Sequence, residues 1–177
     1  MPDNEVSFSK VLMTEYERIK DEQRVRIGFR DNLLYVTLAS LAAIIAATLT
    51  GGAPMLLLLP PVAIVLGWTY LVNDEKISAI GRYIRLDLGP RIGPLVGGQE
   101  LFGWEVAHRS DQRRLSRKYL QLAVDLMTFC LSSAVAVVTY WVAGPATAIL
   151  AAVSIVELIA VGVLAWEIVV YADLKKG

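Results

Sequence analysis

The sequence predicts an all-α fold: an integral membrane four-helix bundle, made of two transmembrane hairpins whose helices extend into the cytoplasm. Three observations carry that expectation. Four uninterrupted apolar runs, at residues 33–49, 54–72, 120–142 and 146–170, hold 17, 19, 23 and 25 residues, and a helix needs roughly 17–25 residues to cross a hydrocarbon core. The runs lack the short alternating pattern of a barrel, so helices are the way their backbone groups would be satisfied in lipid. Third, the basic residues are placed asymmetrically. Six lie before the first run, nine between the second and third, and two after the fourth, while the short connections at 50–54 and 143–145 carry no charge. Basic residues near helix ends stay on the cytoplasmic side, so both termini and the middle segment are expected there.

A chain of 177 residues is one domain by length, 55% of it hydrophobic with a mean hydropathy of +0.52. Residues 1–32 hold six basic and seven acidic residues and no apolar segment, which is not the pattern of a cleavable signal peptide. Phe8, Leu12, Tyr16, Ile19, Gln23 and Ile27 recur at spacings of three and four. Residues 1–32 therefore read as a cytoplasmic amphipathic helix running into the first span with little break. Thr50-Gly51-Gly52-Ala53-Pro54 is the first hairpin turn, with glycine for the reversal and proline to start the next helix. Pro60-Pro61 interrupts the second run and marks either a kink or a late start of that helix.

The first hairpin occupies 33–72. Leu71, Ile77, Ile80, Ile84 and Leu88 continue helical spacing beyond it, so the second helix is expected to project into the cytoplasmic segment 73–119 and to stop at Gly89-Pro90. Residues 91–98 then read as a loop and 100–105 as a short apolar patch. Ser110-Asp111 supplies a cap and an acid for a new helix, which leads into the second hairpin at 120–171. Residues 172–177 form a cytoplasmic tail. Tyr35, Tyr119, Trp166 and Tyr171 mark the inner interface, and Tyr140 and Trp141 the outer one.

Three acids interrupt the apolar runs: Asp125, Glu157 and Glu167. Ionisable groups at the bilayer centre cost at least ~2.5–3.5 kcal/mol on insertion scales and are functional candidates by default. Mirrored through the outer turn, Glu157 lies at the depth of Ser132. Asp125, Thr128, Ser132 and Thr139 fall within about 60° of one another at 100° per residue, a polar stripe expected to face Ser154 and Glu157 of the fourth span. Glu157 has two readings. One is a protonated carboxyl bonded to Ser132 or a backbone carbonyl, gluing helices together. The other is a proton or cation site. In the first span Ala39, Ala43 and Ala47 recur every four residues with Ala42 and Ala46 beside them, a spacing that suits bundle packing or a homo-oligomer contact.

Arg113, Arg114, Arg117 and Lys118 sit just inside the third span, where they enforce topology or meet anionic lipid headgroups. Glu100, Trp104, Glu105 and His108 form a polar patch suited to a partner or to helix packing. The 89–98 segment is no phosphate loop: two prolines remove backbone donors and no Gly-Lys-Ser/Thr follows. One histidine and one cysteine, Cys130, give no metal signature. No nucleophile–base arrangement is visible, so no catalytic residue and no cofactor is expected. Equal numbers of acids and bases, 17 each, argue against nucleic acid as a partner.

Over its whole length the chain resembles small bacterial four-span integral membrane proteins, a group with no assigned activity. Arg30-Asp31-Asn32-Leu33-Leu34-Tyr35 and Gly81-Arg82-Tyr83-Ile84-Arg85 carry that resemblance. The layout is also similar to the SLATT and S-4TM membrane effectors of bacterial conflict systems, which implies damage to the membrane when a sensor activates them. Three expectations follow. The preferred one is a non-enzymatic, self-associating inner-membrane protein whose cytoplasmic helices bind a protein partner or receive a signal. The second is a small proton- or cation-coupled transporter or channel using Asp125 and Glu157. The third is a membrane-anchored enzyme acting on lipid around residues 100–108.

Overall fold

The computed structural model describes residues 7–97, 103, 113–144 and 147–172. Among them there is helix and no strand, and four helical runs are long and apolar enough to cross a membrane. Helix α1 is Phe8–Gly51, a single helix through the polar and the apolar part of the sequence. Gly52 breaks it at φ 76°, a conformation glycine adopts without steric cost. A 3₁₀ turn follows at Ala53–Leu58, and α2 begins at Leu59 and runs to Tyr83. Pro60-Pro61 is therefore a helix start. In the first turn a missing N–H leaves no intrahelical bond unmade.

Beyond α2 the helix does not stop at Gly89-Pro90, and residues 91–96 are not the loop that the prolines suggested. A π turn at Ile84–Leu88 leads into α3, Gly89–Ile92, and then a 3₁₀ turn at Gly93–Val96. A proline inside an α-helix clashes with the carbonyl four residues back. Here Gly89 N–H bonds five residues back, to the Ile84 carbonyl, and that wider turn admits Pro90. The helix ends at Gly97, at φ 84°, a left-handed terminus that favours glycine. Helix α4 is Arg114–Asp125, a second π turn is Leu126–Leu131, α5 is Ser132–Ala143 and α6 is Ala148–Tyr171. The expected cap at Ser110-Asp111 lies outside the described residues.

The chain divides into two compact units. One comprises Met1–Phe29 and Asn73–Arg114, the other Arg30–Val72 and Leu115–Gly177. In the first, Leu12 on α1 packs with Ile84, Leu88 and Ile92, flanked by Tyr16, Ile19, Ile80 and Tyr83. The helical spacing marked out Leu12, Tyr16, Ile19, Ile80, Ile84 and Leu88, but not Tyr83, nor Ile92, which lay in the expected loop; Phe8 and Ile27 at the ends of the α1 stripe are exposed. Polar bonds join the same two helices. Tyr83 Oη donates to Glu15 Oε1 at 2.6 Å, Gln23 Nε2 to the Ile77 carbonyl at 3.3 Å, and Asn73 Nδ2 to the Arg26 carbonyl at 2.7 Å.

In the second unit Leu33, Tyr70, Leu71, Phe129, Cys130, Val161, Leu164 and Ile168 form the largest core cluster. Gly67 lies in the middle of it. A Cβ there would stand 2.9 Å from both Leu164 Cδ2 and Phe129 Cγ, so its bare backbone lets α2 approach those side chains. Leu57, Val137 and Tyr140 make a second cluster, with Leu150 and Leu158 against it. Tyr140 is 3% exposed. It is a core residue rather than the interface anchor expected from its place in the sequence, because it points along the face that α5 buries. Trp141, next to it, is exposed, as are Tyr35, Tyr119, Trp166 and Tyr171.

Candidate functional site

The polar groups inside the second unit are the residues most able to carry chemistry. Most are spent on their own helices. Thr37 Oγ1 donates to the Leu33 carbonyl at 2.7 Å, Ser133 Oγ to the Phe129 carbonyl at 2.7 Å, and Ser132 Oγ to the Thr128 carbonyl. Ser154 Oγ donates to the Ala151 carbonyl at 2.8 Å and accepts from Trp141 Nε1 at 2.9 Å. That last bond ties α6 to the end of α5, so Ser154 does face the third helical run, through Trp141 rather than through the polar stripe.

The stripe itself is broken. Ser132 N–H bonds five residues back, to the Met127 carbonyl, and a π turn advances the chain by less than 100° per residue. Counting 100° per residue across Leu126–Leu131 therefore misplaces everything before it. Asp125 sits on the buried side with Phe129, Cys130, Ser133, Ala136, Val137 and Tyr140 and is 7% exposed. Thr128 and Ser132 are half-buried and Thr139 is exposed. The buried serine of this helix is Ser133, which the α-helical count passed over.

Glu157 lies three residues from Ser154, four from Val161 and seven from Leu164, within the sector that α6 buries. The side chain is half-buried. Its Oε2 is shielded from solvent and has no hydrogen-bond partner among the described residues. It is not bonded to Ser132, whose proton goes to Thr128. Glu167 is half-buried farther along α6. Arg113 and Arg117 are exposed and Lys118 half-buried; Arg114 opens α4, its side chain lying outside the description. Glu100, Trp104, Glu105 and His108 lie outside the described residues.

The first unit holds polar groups that the sequence reading did not single out. Asn73 is buried, and besides its bond to the Arg26 carbonyl it accepts from Arg26 Nη1 at 3.4 Å. Arg26 in turn grips Glu22 Oε1 through Nε at 2.8 Å and Nη2 at 2.6 Å. The Glu15 carboxylate that accepts the Tyr83 hydroxyl proton holds that phenol above its ordinary value. These pairs are 47 and 68 residues apart, and no local spacing signals them. Among the described residues no group of three His, Cys, Asp or Glu side chains is placed to hold a metal ion. The chain matches no protein-family model, no curated protein and no solved structure.

Proposed function

We propose that this chain is a multi-pass protein of the bacterial inner membrane that self-associates through α1, and whose first unit binds a cytoplasmic partner or receives a signal. The observation that carries the proposal is the division of α1 into two faces. Leu33, Thr37, Leu41 and Ile44 turn toward the rest of the second unit, whereas Ala39, Ala42, Ala43 and Ala46 are all exposed; Ala47, the third member of the expected stripe, is half-buried. At 100° per residue the alanines lie about half a turn from the packed face. Among the described residues nothing covers those exposed alanines, and small side chains let a second helix approach closely.

Large apolar side chains elsewhere on the second unit, among them Leu38, Val65, Val135, Ile149, Val156 and Ile159, are also exposed. Such a surface suits lipid chains better than water. The distribution of basic residues supports both termini and residues 73–119 on the cytoplasmic side. The resemblance to membrane effectors favours a version in which the activated assembly opens the bilayer.

Self-association is tested by oxidative crosslinking of Ala43→Cys in a Cys130→Ser background, in native membranes. A crosslinked dimer is the expected result. Ala43→Ile should weaken association about tenfold by overpacking the contact. A strict monomer in bilayer nanodiscs by native mass spectrometry overturns the proposal. Protease added outside intact cells should spare residues 73–119, and cleavage there refutes the orientation.

A further inference from the structure

We propose that the Glu157 carboxyl is a proton-binding site inside the four-helix unit, not a hydrogen-bonded link between helices. The inference rests on the bilayer reading above and adds a ligand to it. A linking carboxyl needs a partner, and several buried or half-buried hydroxyls of this unit are engaged elsewhere. A hydroxyl has one proton to give, and those of Thr37, Ser132, Ser133 and Ser154 all go to carbonyls of their own helices. The Trp141 N–H goes to Ser154. Glu157 Oε2 is left buried without a partner among the described residues.

No counter-charge replaces the missing donor. Residues 33–72, 120–143 and 148–171, which supply every helix of this unit's apolar part, contain no Lys, Arg or His. Their other titratable groups are Asp125, Glu167, Cys130, Tyr35, Tyr70, Tyr140 and Tyr171, and none of these brings positive charge to Glu157. Val161 and Leu164, four and seven residues on in the same sector, belong to the apolar core cluster. A carboxylate placed there without donor or cation is costly, and binding a proton removes the charge. The remainder of the side chain is only half-buried, which leaves an approach for an apolar reagent from the edge of the bundle.

The test uses the full chain in liposomes and a hydrophobic fluorescent carbodiimide, a reagent that requires the protonated acid. Mass spectrometry of the unaltered chain locates the adduct, so the result does not depend on a variant folding. The expected result is an adduct at Glu157 at about pH 7, where an ordinary carboxyl is ionised. Glu157→Gln should abolish it, while Glu167→Gln and Asp125→Asn retain it. An unreactive Glu157 at about pH 7, or protection by sodium at fixed pH, overturns the proposal. Alkaline extraction of the same liposomes separates the two readings. Release of the chain defeats the bilayer reading and the site with it, whereas retention with an unreactive Glu157 defeats the site alone.

Discussion

Replacing Gly67 by alanine tests the packing of the second unit directly. The new methyl would meet Leu164 Cδ2 at 2.9 Å, Phe129 Cγ at 2.9 Å and Phe129 Cδ1 at 3.0 Å. Phe129 is fully buried and Leu164 nearly so, and neither has space to withdraw without moving its neighbours. Overpacking of this kind costs about 1–3 kcal/mol. Alanine recovers about 0.8–1.0 kcal/mol over glycine in a helix interior. The net result should run from no change to a loss of about 2 kcal/mol. Gly162, inside α6, provides the control, because a Cβ there meets nothing within 4 Å. Gly162→Ala should show the helix gain alone, and the difference between the two variants, about 1–3 kcal/mol, is the packing cost. Denaturant unfolding in detergent micelles, followed by circular dichroism, measures both. Equal stability of the two alanine variants would refute the close approach of α2 to Phe129 and Leu164.

Other consequences are smaller but distinct. Asn73→Ala should destabilise the first unit by about 1–3 kcal/mol, because it removes the donor to the Arg26 carbonyl and leaves Arg26 Nη1 without its Asn73 acceptor; hydrogen exchange of α1 amides reads the effect, and unchanged protection would contradict it. Tyr83 has a raised folded value, so its contribution to stability is complete below the unfolded phenol value and is lost as pH climbs through the folded one. An alkaline absorbance titration should therefore lose a phenolate step lying above the ordinary tyrosine value in Tyr83→Phe, and an identical titration would show that Glu15 does not hold the phenol. A double-mutant cycle between Trp141→Phe and Ser154→Ala should give a coupling of about 0.6 kcal/mol, the average for interhelical bonds in a membrane bundle; strict additivity would mean the two side chains do not meet.

Much of the architecture can be read from local pattern. Apolar runs of spanning length set four helical segments, and spacings of three and four picked out Leu12, Tyr16 and Ile19 on one face and Ile80, Ile84 and Leu88 on another, although not that the two meet. These succeed because helix periodicity and side-chain transfer energies are properties of neighbouring residues. The Pro60-Pro61 pair was legible only as a choice between two structures, and the α-helix that begins at Leu59, after the 3₁₀ turn, makes it a helix start. The polar stripe failed for a related reason. An α count is correct only while every bond runs four residues back, and the π turn at Leu126–Leu131, which holds the buried Phe129 and Cys130, breaks that count.

The character of α1's alanine face, the isolation of Glu157 and the Asn73–Arg26 bond belong to a second category. Each depends on which surfaces of distant segments meet, and on which donors those meetings consume. Composition and spacing dictated helices and most of their apolar positions, since those follow from the backbone and from a few adjacent side chains, whereas the continuation past Gly89-Pro90 to Val96 was not among them. Which alanines remain uncovered and which carboxyl lacks a partner follow from long-range contacts, whose energies enter only when the helices are assembled.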